Sequence, residues 1–430
     1  MNEGTWSAAR AALAAQQRQR LAVLVGTIAR DNAFYAGKFA TAGIDAARAV
    51  ADRGIAGLPF TTKAELIADQ DANPPWGSAR TEPLAAYTRY HQTSSTTGRP
   101  LRWLDTNASW QWALDCWKSV FAAAHVGPGD RVLFAFSFGP FLGFWTAFEA
   151  GCQIGAHCVP GGGMTSHQRL ALVDATRPGV LLCTPTYALR LAEVAESDKG
   201  RPPLTASGVR TIIVAGESGG SLPAVRARIE RAWGARVIDH YGLTEVGPVA
   251  FEDWDRPGGL YVNEAEYIAE VLDAAGQPVP DGELGELVLT NLGRLASPVI
   301  RYRTGDVVRA RTMPHPVGPA YLWLEGGILA RADDMVTIRG VNVYPTAVDA
   351  VVRAYADVVE FRATVARESA MRQLAVEIEV RPGADAGATA ESVALALKEA
   401  LGLTVAVHPV ATNALPRFEM KARRFVVADA

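Results

Sequence analysis

Five polar clusters carry side chains able to handle an anion, a hard metal ion or a diol. The first is Thr93-Ser94-Ser95-Thr96-Thr97-Gly98-Arg99-Pro100. Its hydroxyls, backbone N–H groups and one cation can wrap an anion, although it is not a Walker loop. The second is Asp239-His240-Tyr241-Gly242-Leu243-Thr244-Glu245. It offers a carboxylate for Mg²⁺, which prefers hard oxygen ligands, and a hydroxyl for a phosphate oxygen. The third, Arg301 to Asp306, sets a carboxylate just after a glycine turn, where it can accept both protons of a ribose diol. The fourth runs from Arg331-Ala332-Asp333-Asp334 to Arg339-Gly340-Val341-Asn342-Val343-Tyr344-Pro345. The fifth is the cationic tail Arg417 to Arg424, which holds Lys421, one of only six lysines. Taken singly, each also reads as an ordinary turn or a solvated segment.

The elements that must position these groups are legible as hydrophobic texture. Short apolar runs at Arg131–Phe136, Ala156–Val159, Gly179–Cys183 and Arg210–Ala215 alternate with helical stretches at 141–150, 166–177, 186–197 and 222–233. That rhythm predicts a parallel sheet with covering helices, with Val237-Ile238 as a further strand. Short strands at 267–272, 286–290 and 307–311, separated by Gly, Pro and Asp, predict a small β-rich subdomain. From about 334 a second unit begins: helix 345–354, strands near 361–366 and 373–380, helix 390–401 and strand 403–408. The expected fold class is therefore α/β. It has a large N-terminal domain over 1–333, of parallel-rich sheets plus the β-rich subdomain, and a small α+β C-terminal domain over 334–430.

The chain has 430 residues, 49% hydrophobic and 20% charged, so disorder is excluded as its main state. Its formal net charge of −3 argues against a nucleic-acid protein that works through a basic field. The four cysteines form no C-x-x-C pair, which fits a reducing, cytoplasmic setting. Cys152, His157 and Cys158 match no zinc spacing. The N-terminal stretch reads as an exposed amphipathic helix rather than a targeting segment. The longest apolar stretch, 132–150, is too broken to span a membrane.

Phe134, Phe136, Phe138, Phe141, Phe144 and Trp145 follow the first predicted strand. Aromatics at this density usually fill a core, and they can also line a flat apolar pocket.

In this order the five clusters resemble the acyl-adenylate-forming superfamily, most nearly its phenylacetate-CoA ligase-like branch. Asn32-Ala33-Phe34-Tyr35, Leu58-Pro59-Phe60-Thr61-Thr62-Lys63 and the 339–345 string strengthen the resemblance, which covers essentially the whole chain. It implies ATP-dependent adenylation of a carboxylic acid, with loss of pyrophosphate, followed by acyl transfer to CoA with loss of AMP. A carrier-protein thiol, an amine or a second aromatic molecule are alternative acceptors, and a nucleotide-binding protein without catalysis is the reading from another class.

The resemblance further implies that the 93–100 loop closes over ATP and that Gly216-Glu217-Ser218 forms a turn against adenine. Asp239, His240, Tyr241 and Gly242 would line the nucleotide, with Tyr241 near adenine. Thr244 would touch the α-phosphate, Glu245 would hold Mg²⁺, and Asp306 and Arg331 would bind the ribose side. Asp334 would be the hinge of a mobile C-terminal domain. Arg339 and Gly340 would enter the site in the second half-reaction, and Lys421 would bridge carboxylate and nucleotide in the first. Phe136, Ser137, Phe138, Phe141, Gly216, His240 and Gly242 would line the acid pocket, which favours an aromatic acid. Ser137, His240 and Glu217 would offer polar contacts to a ring hydroxyl or amino group. A homodimer is expected from the resemblance alone, and degradative and biosynthetic roles both stay open. The chain departs from the pattern at Ser95, where Gly is usual, and at Arg99, where Lys is commoner. No cysteine lies in 251–255, so the zinc that some relatives hold is not expected.

Overall fold

Continuous apolar runs bounded by turn residues are the pattern of strands buried on both faces, and here they form the parallel half of a large sheet. The computed structural model describes residues 3–93, 100–315, 320–339, 341–368, 371–418 and 422–428. The chain opens with α1 (Glu3–Asp31), α2 (Ala33–Thr41), α3 (Ala46–Arg53) and α4 (Lys63–Ala72). The amphipathic reading of α1 holds, but its apolar face is not exposed. Leu21, Leu24, Val25 and Ile28 are buried against Tyr35, Phe39 and Ile300. Arg20 of α1 bonds Glu266 at 2.8 Å, and Gln17 donates to the carbonyl of Tyr267 at 2.9 Å.

Strands β1 (Tyr87–Gln92) and β2 (Arg102–Thr106) form an antiparallel hairpin, and α5 (Asn107–Ala123) follows. The next stretch alternates β3 (Arg131–Phe134), α6 (Leu142–Gln153), β4 (His157–Pro160), α7 (Ser166–Thr176), β5 (Val180–Cys183), α8 (Pro185–Ser197), β6 (Thr211–Val214), α9 (Pro223–Trp233) and β7 (Arg236–Leu243). Strands β4-β3-β5-β6-β7 are mutually parallel. Each expected strand is present, although the first ends at Phe134, two residues short, and leaves Phe136 and Phe138 in the following turn. Local chemistry sets the helix starts. Thr165 with Gln168 forms a capping box on α7, and Thr184 caps α8 with Pro185 as its first residue.

The β-rich region joins this sheet edge to edge. Its strands are β8 (Gly247–Asp253), β9 (Arg256–Val262), β10 (Tyr267–Leu272), β11 (Leu284–Asn291), β12 (Tyr302–Pro314), β13 (Ala320–Glu325) and β14 (Ala330–Arg331). They extend the order as β7-β8-β9-β13-β12-β11-β10, with β14 on β12, in a sheet of twelve described strands. The joint is β7. Its first half pairs parallel with β6 as far as Asp239, and its second half, His240 to Leu243, pairs antiparallel with β8.

A short hairpin of β15 (Val336–Ile338) and β16 (Val341–Val343) follows. Then come α10 (Pro345–Arg353), β17 (Val358–Glu368), β18 (Met371–Val380), α11 (Ala386–Leu401), β19 (Ala406–Val410) and β20 (Phe425–Val427). The four strands order as β19-β18-β17-β20, and Val348, Val352, Phe361, Ile378, Val393 and Leu397 close their own core. The expected fold class is borne out: α/β with a large sheet and covering helices, plus a C-terminal α+β unit. Among the described residues no helix is long and apolar enough to cross a membrane.

Candidate active site

The site lies where β7 overshoots its neighbour. Strand β6 ends at Val214, paired with Asp239, and β7 runs on through His240, Tyr241 and Gly242. Ligands of open α/β sheets sit outside the carboxyl ends of the strands, and this overshoot delivers three of the candidate residues there. Gly216 and Ser218 lie exposed at the end of β6, with Gly216 at φ 93°. Gly242 admits no side chain, because a Cβ there would meet the carbonyl oxygen of Gly247 at 2.8 Å.

Tyr241 and Asp306 are 65 residues apart, yet the Tyr241 hydroxyl donates to Asp306 Oδ2 at 2.5 Å. Arg331 Nη1 donates to Asp306 Oδ1 at 3.0 Å, across the β12–β14 pairing that sets Asp306 opposite Arg331. Burial pushes Asp306 up to about 6, against the pull of Arg331 and the Tyr241 bond. Arg331 also holds Asp333, with two bonds of 2.9 Å, and lies 3.8 Å from Asp334, which is half exposed in the turn before β15.

Glu245 is buried in the turn after β7. Its Oε1 accepts from the Tyr302 hydroxyl at 3.1 Å and lies 3.6 Å from Lys63 Nζ. Thr244 is half-buried beside it. The turn is held from behind by Arg294, which donates through Nη1 to the carbonyls of Thr244 at 2.7 Å and Glu245 at 3.3 Å. Arg294 Nε donates to Asp105 Oδ1 at 2.8 Å, and both side chains are fully buried, with 0% exposure.

The aromatic residues form a ladder beyond β3. Phe136 stacks on Phe144 with centroids 4.0 Å apart and lies 5.5 Å from Phe138. Phe138 meets Trp145 edge-on at 4.9 Å, and Phe141 meets Phe144 at 6.1 Å. Phe136 is buried, Phe138 and Phe141 are half-buried, and Ser137 is exposed. The backbone of Gly162 closes one side, since a Cβ there would meet Phe138 at 2.6 Å. His240 packs against Trp117 at 4.3 Å, and its Nδ1 bonds the carbonyl of Ala250 at 2.9 Å. Burial lowers the His240 pKa to about 4, so the ring is neutral at pH 7; with Nδ1 donating, Nε2 is an acceptor.

Several sequence readings change in detail. Thr93 closes the base of its loop: its N–H donates to the carbonyl of Leu101, and its Oγ1 accepts the Leu101 N–H, both at 3.0 Å. Asp239 is turned under the segment before α9, where it accepts from Ser221 and from its neighbour His240 N–H at 3.0 Å. Burial pushes it up to about 7. Both Glu217 oxygens accept backbone N–H groups, those of Thr186 and Ala422, so its carboxylate ties two elements together. Arg339 is exposed at the end of β15 beside Gln373, Leu374, Leu403 and Thr404, so it is not brought to the Tyr241–Asp306 cluster. Ser94, Ser95, Thr96, Thr97, Gly98, Arg99, Gly340 and Lys421 lie outside the described residues.

Sequence reasoning gave no role to Lys63, Tyr302, Arg294 or Asp105. Lys63 stood in a motif already quoted, and its rarity was the available signal. Arg294 and Asp105 are 189 residues apart, and nothing local ties them.

A carboxylate, a tyrosine and an arginine meet at the carboxyl edge of the parallel sheet, the same edge from which the aromatic ladder rises. The family described as AMP-binding enzyme matches residues 45–293, and its C-terminal domain matches 340–428. The chain is 32% identical over 376 residues to the phenylacetate-coenzyme A ligase of Thermus thermophilus, spanning 86% of this chain and 81% of the relative. It is 30% identical over 433 residues to the phenylacetate-coenzyme A ligase of Escherichia coli, spanning 96% and 94%. It superposes on 2-hydroxyisobutyryl-CoA ligase in the postadenylation state with a TM-score of 0.90 and 29% identity, over 96% of this chain and 89% of that one. On the same ligase in the thioesterification state the TM-score is 0.72, at 30% identity over 96% and 88%. The chain belongs to the AMP-binding enzymes, in the phenylacetate-CoA ligase-like branch of the acyl-adenylate-forming superfamily.

Proposed function

We propose that the chain is an AMP-forming ligase that joins an aromatic carboxylic acid to CoA. The observation that carries the aromatic choice is the ladder Phe136–Phe144–Phe138, one pair stacked and one tilted, in the segments after β3 and so at the same carboxyl end of the parallel sheet as Tyr241. A flat acid adds another ring to this ladder at little conformational cost. Neutral His240 would accept a hydrogen bond from a hydroxyl or amino group on that ring, and exposed Ser137 would offer a second polar contact.

In this reading a carboxylate oxygen of the acid attacks the α-phosphorus of ATP, and pyrophosphate leaves. The CoA thiolate then attacks the acyl carbon, and AMP leaves. Negative charge builds on phosphoryl oxygens in the first step, so fixed donors and cations carry most of the stabilisation. Asp306 would take the ribose hydroxyls, with Arg331 keeping its carboxylate charged and aimed. Tyr241 would flank adenine, with the Gly216–Ser218 backbone on the other side. Thr244, Arg99 with the hydroxyls of its loop, and Lys421 would meet the phosphate and the acid. Among the described residues no three His, Cys, Asp or Glu groups converge as a metal cage. A single buried carboxylate with one oxygen spared from Tyr302 and Lys63 suits Mg²⁺ that arrives on phosphates, and Glu245 would hold it there. Mg²⁺ supplies charge neutralisation on the phosphate oxygens. Arg339, exposed just after β15, would reach the site only after the C-terminal domain turns about Asp334.

The test is ATP–pyrophosphate exchange over a panel of aryl and alkyl acids without CoA, followed by thioester formation with CoA. Exchange with aryl acids and saturable use of CoA is the expected result. Exchange with alkyl acids alone would overturn the aromatic assignment. Exchange without any CoA-dependent product would move the acceptor to a carrier thiol, an amine or another aromatic molecule.

A further inference from the structure

The two domains touch immediately beside Lys421. The N–H of Ala422, the next residue, donates to Glu217 Oε2 at 2.9 Å. The other oxygen, Oε1, accepts the N–H of Thr186 at 2.9 Å. Thr186 is the second residue of α8, so its N–H has no partner within the helix, and a carboxylate is favoured at that end. Glu217 is thus fixed by the N-terminal domain alone, with one oxygen left to receive the C-terminal domain. Two residues on, Arg424 Nη1 donates to the hydroxyl of the same Thr186 at 3.2 Å. Arg424 is aimed by Glu360, at 2.9 Å from Nη2, and Glu360 is held in turn by Arg353 at 3.2 Å. Residues 422 and 424 therefore both close on the Thr186–Glu217 pair. The overall pose is nearer the postadenylation state of 2-hydroxyisobutyryl-CoA ligase than its thioesterification state, with TM-scores of 0.90 and 0.72.

We propose that Glu217 is a positioning residue for the first half-reaction: it clasps the backbone next to Lys421, holds the C-terminal domain in its adenylation pose, and releases it for acyl transfer. This rests on the adenylation reading above. The clasp is a charge-assisted bond to a main-chain N–H that water can replace, so it is strong enough to bias a pose and weak enough to let go.

The experiment compares Glu217→Ala, Glu217→Gln and Thr186→Val with the unaltered full-length chain in each half-reaction separately. Glu217→Ala should lower ATP–pyrophosphate exchange about tenfold or more, while acyl transfer from separately supplied acyl adenylate to CoA is unchanged or faster. Glu217→Gln keeps one accepting oxygen and should fall between. Thr186→Val keeps its N–H and should give a smaller loss confined to exchange. A second measurement needs no activity: amide hydrogen exchange of the peptide over 422–428 should be slow in the unaltered chain and faster in Glu217→Ala, with the core strands β5 and β6 unchanged. Equal losses in both half-reactions, loss in neither, or equal amide exchange in the two proteins would overturn the clasp. If the unaltered chain adenylates no acid at all, the adenylation reading falls and takes this role of Glu217 with it, while unequal amide exchange would still show the contact.

Discussion

Replacing Arg294 by Met separates support of the site from support of the fold. Arg294 and Asp105 are both fully buried, and Arg294 also fills the carbonyls of Thr244 and Glu245. His91 lies 3.9 Å from Asp105, but burial lowers its pKa to about 4, so it cannot serve as the replacement cation at neutral pH. Arg294→Met therefore leaves an uncompensated buried carboxylate, and breaking such a pair costs about 3–5 kcal/mol. Adding Asp105→Leu removes that charge, and an apolar replacement of a buried pair is often neutral. The two turn carbonyls still lack their donor, a penalty of about 1–3 kcal/mol for each that stays buried. The double variant should thus regain most of the lost stability yet remain poor in ATP–pyrophosphate exchange, because the Thr244–Glu245 turn is no longer held. Denaturant unfolding followed by tryptophan fluorescence and the exchange assay check the two parts. Recovery of exchange together with stability would refute the reasoning, as would a single variant weakened by less than about 1 kcal/mol.

Three other outcomes are expected. Tyr241→Phe, which removes one bond to the Asp306 carboxylate, should raise the ATP KM in the exchange assay by roughly tenfold with little effect on thermal stability. Gly162→Ala sets a Cβ against Phe138 and should shift the preference among aryl acids of different width, read as the ratio of kcat/KM values. Burial raises Asp239 from its unfolded range to about 7, so folding favours its protonated form; that contribution is complete below about pH 4 and is lost as pH rises through about 7. Asp239→Asn should remove this loss, so its thermal midpoint falls less than that of the unaltered chain between pH 5 and pH 8.

Much of the fold was legible because fully buried parallel strands read as unbroken apolar runs. Val180–Cys183 and Thr211–Val214 need no context to be recognised. The second half of β7 was missed, since His-Tyr-Gly-Leu carries no alternation and owes its strand to pairing with β8. β12 was seen only at its apolar centre, because the first nine of its thirteen residues alternate buried and half-buried side chains, mixed with arginines. At the site, the motifs told which residues congregate but not which way they face. Asp239 and Glu217 sit in the recognised strings, and their carboxylates turn to Ser221 and to Ala422 because those partners come from other elements. Arg294 was invisible for the same reason: its value lies in a partner 189 residues away.

The Arg331 contacts carry a mechanical consequence. Arg331 is tied to Asp306 on one side and to Asp333 on the other, just before the turn that leads into the C-terminal domain. On the proposed reading, in which Asp334 is the hinge and Asp306 takes the ribose, the pivot would be tied through Arg331 to the very group that holds the nucleotide, so a turn of the C-terminal domain would leave that anchor in place.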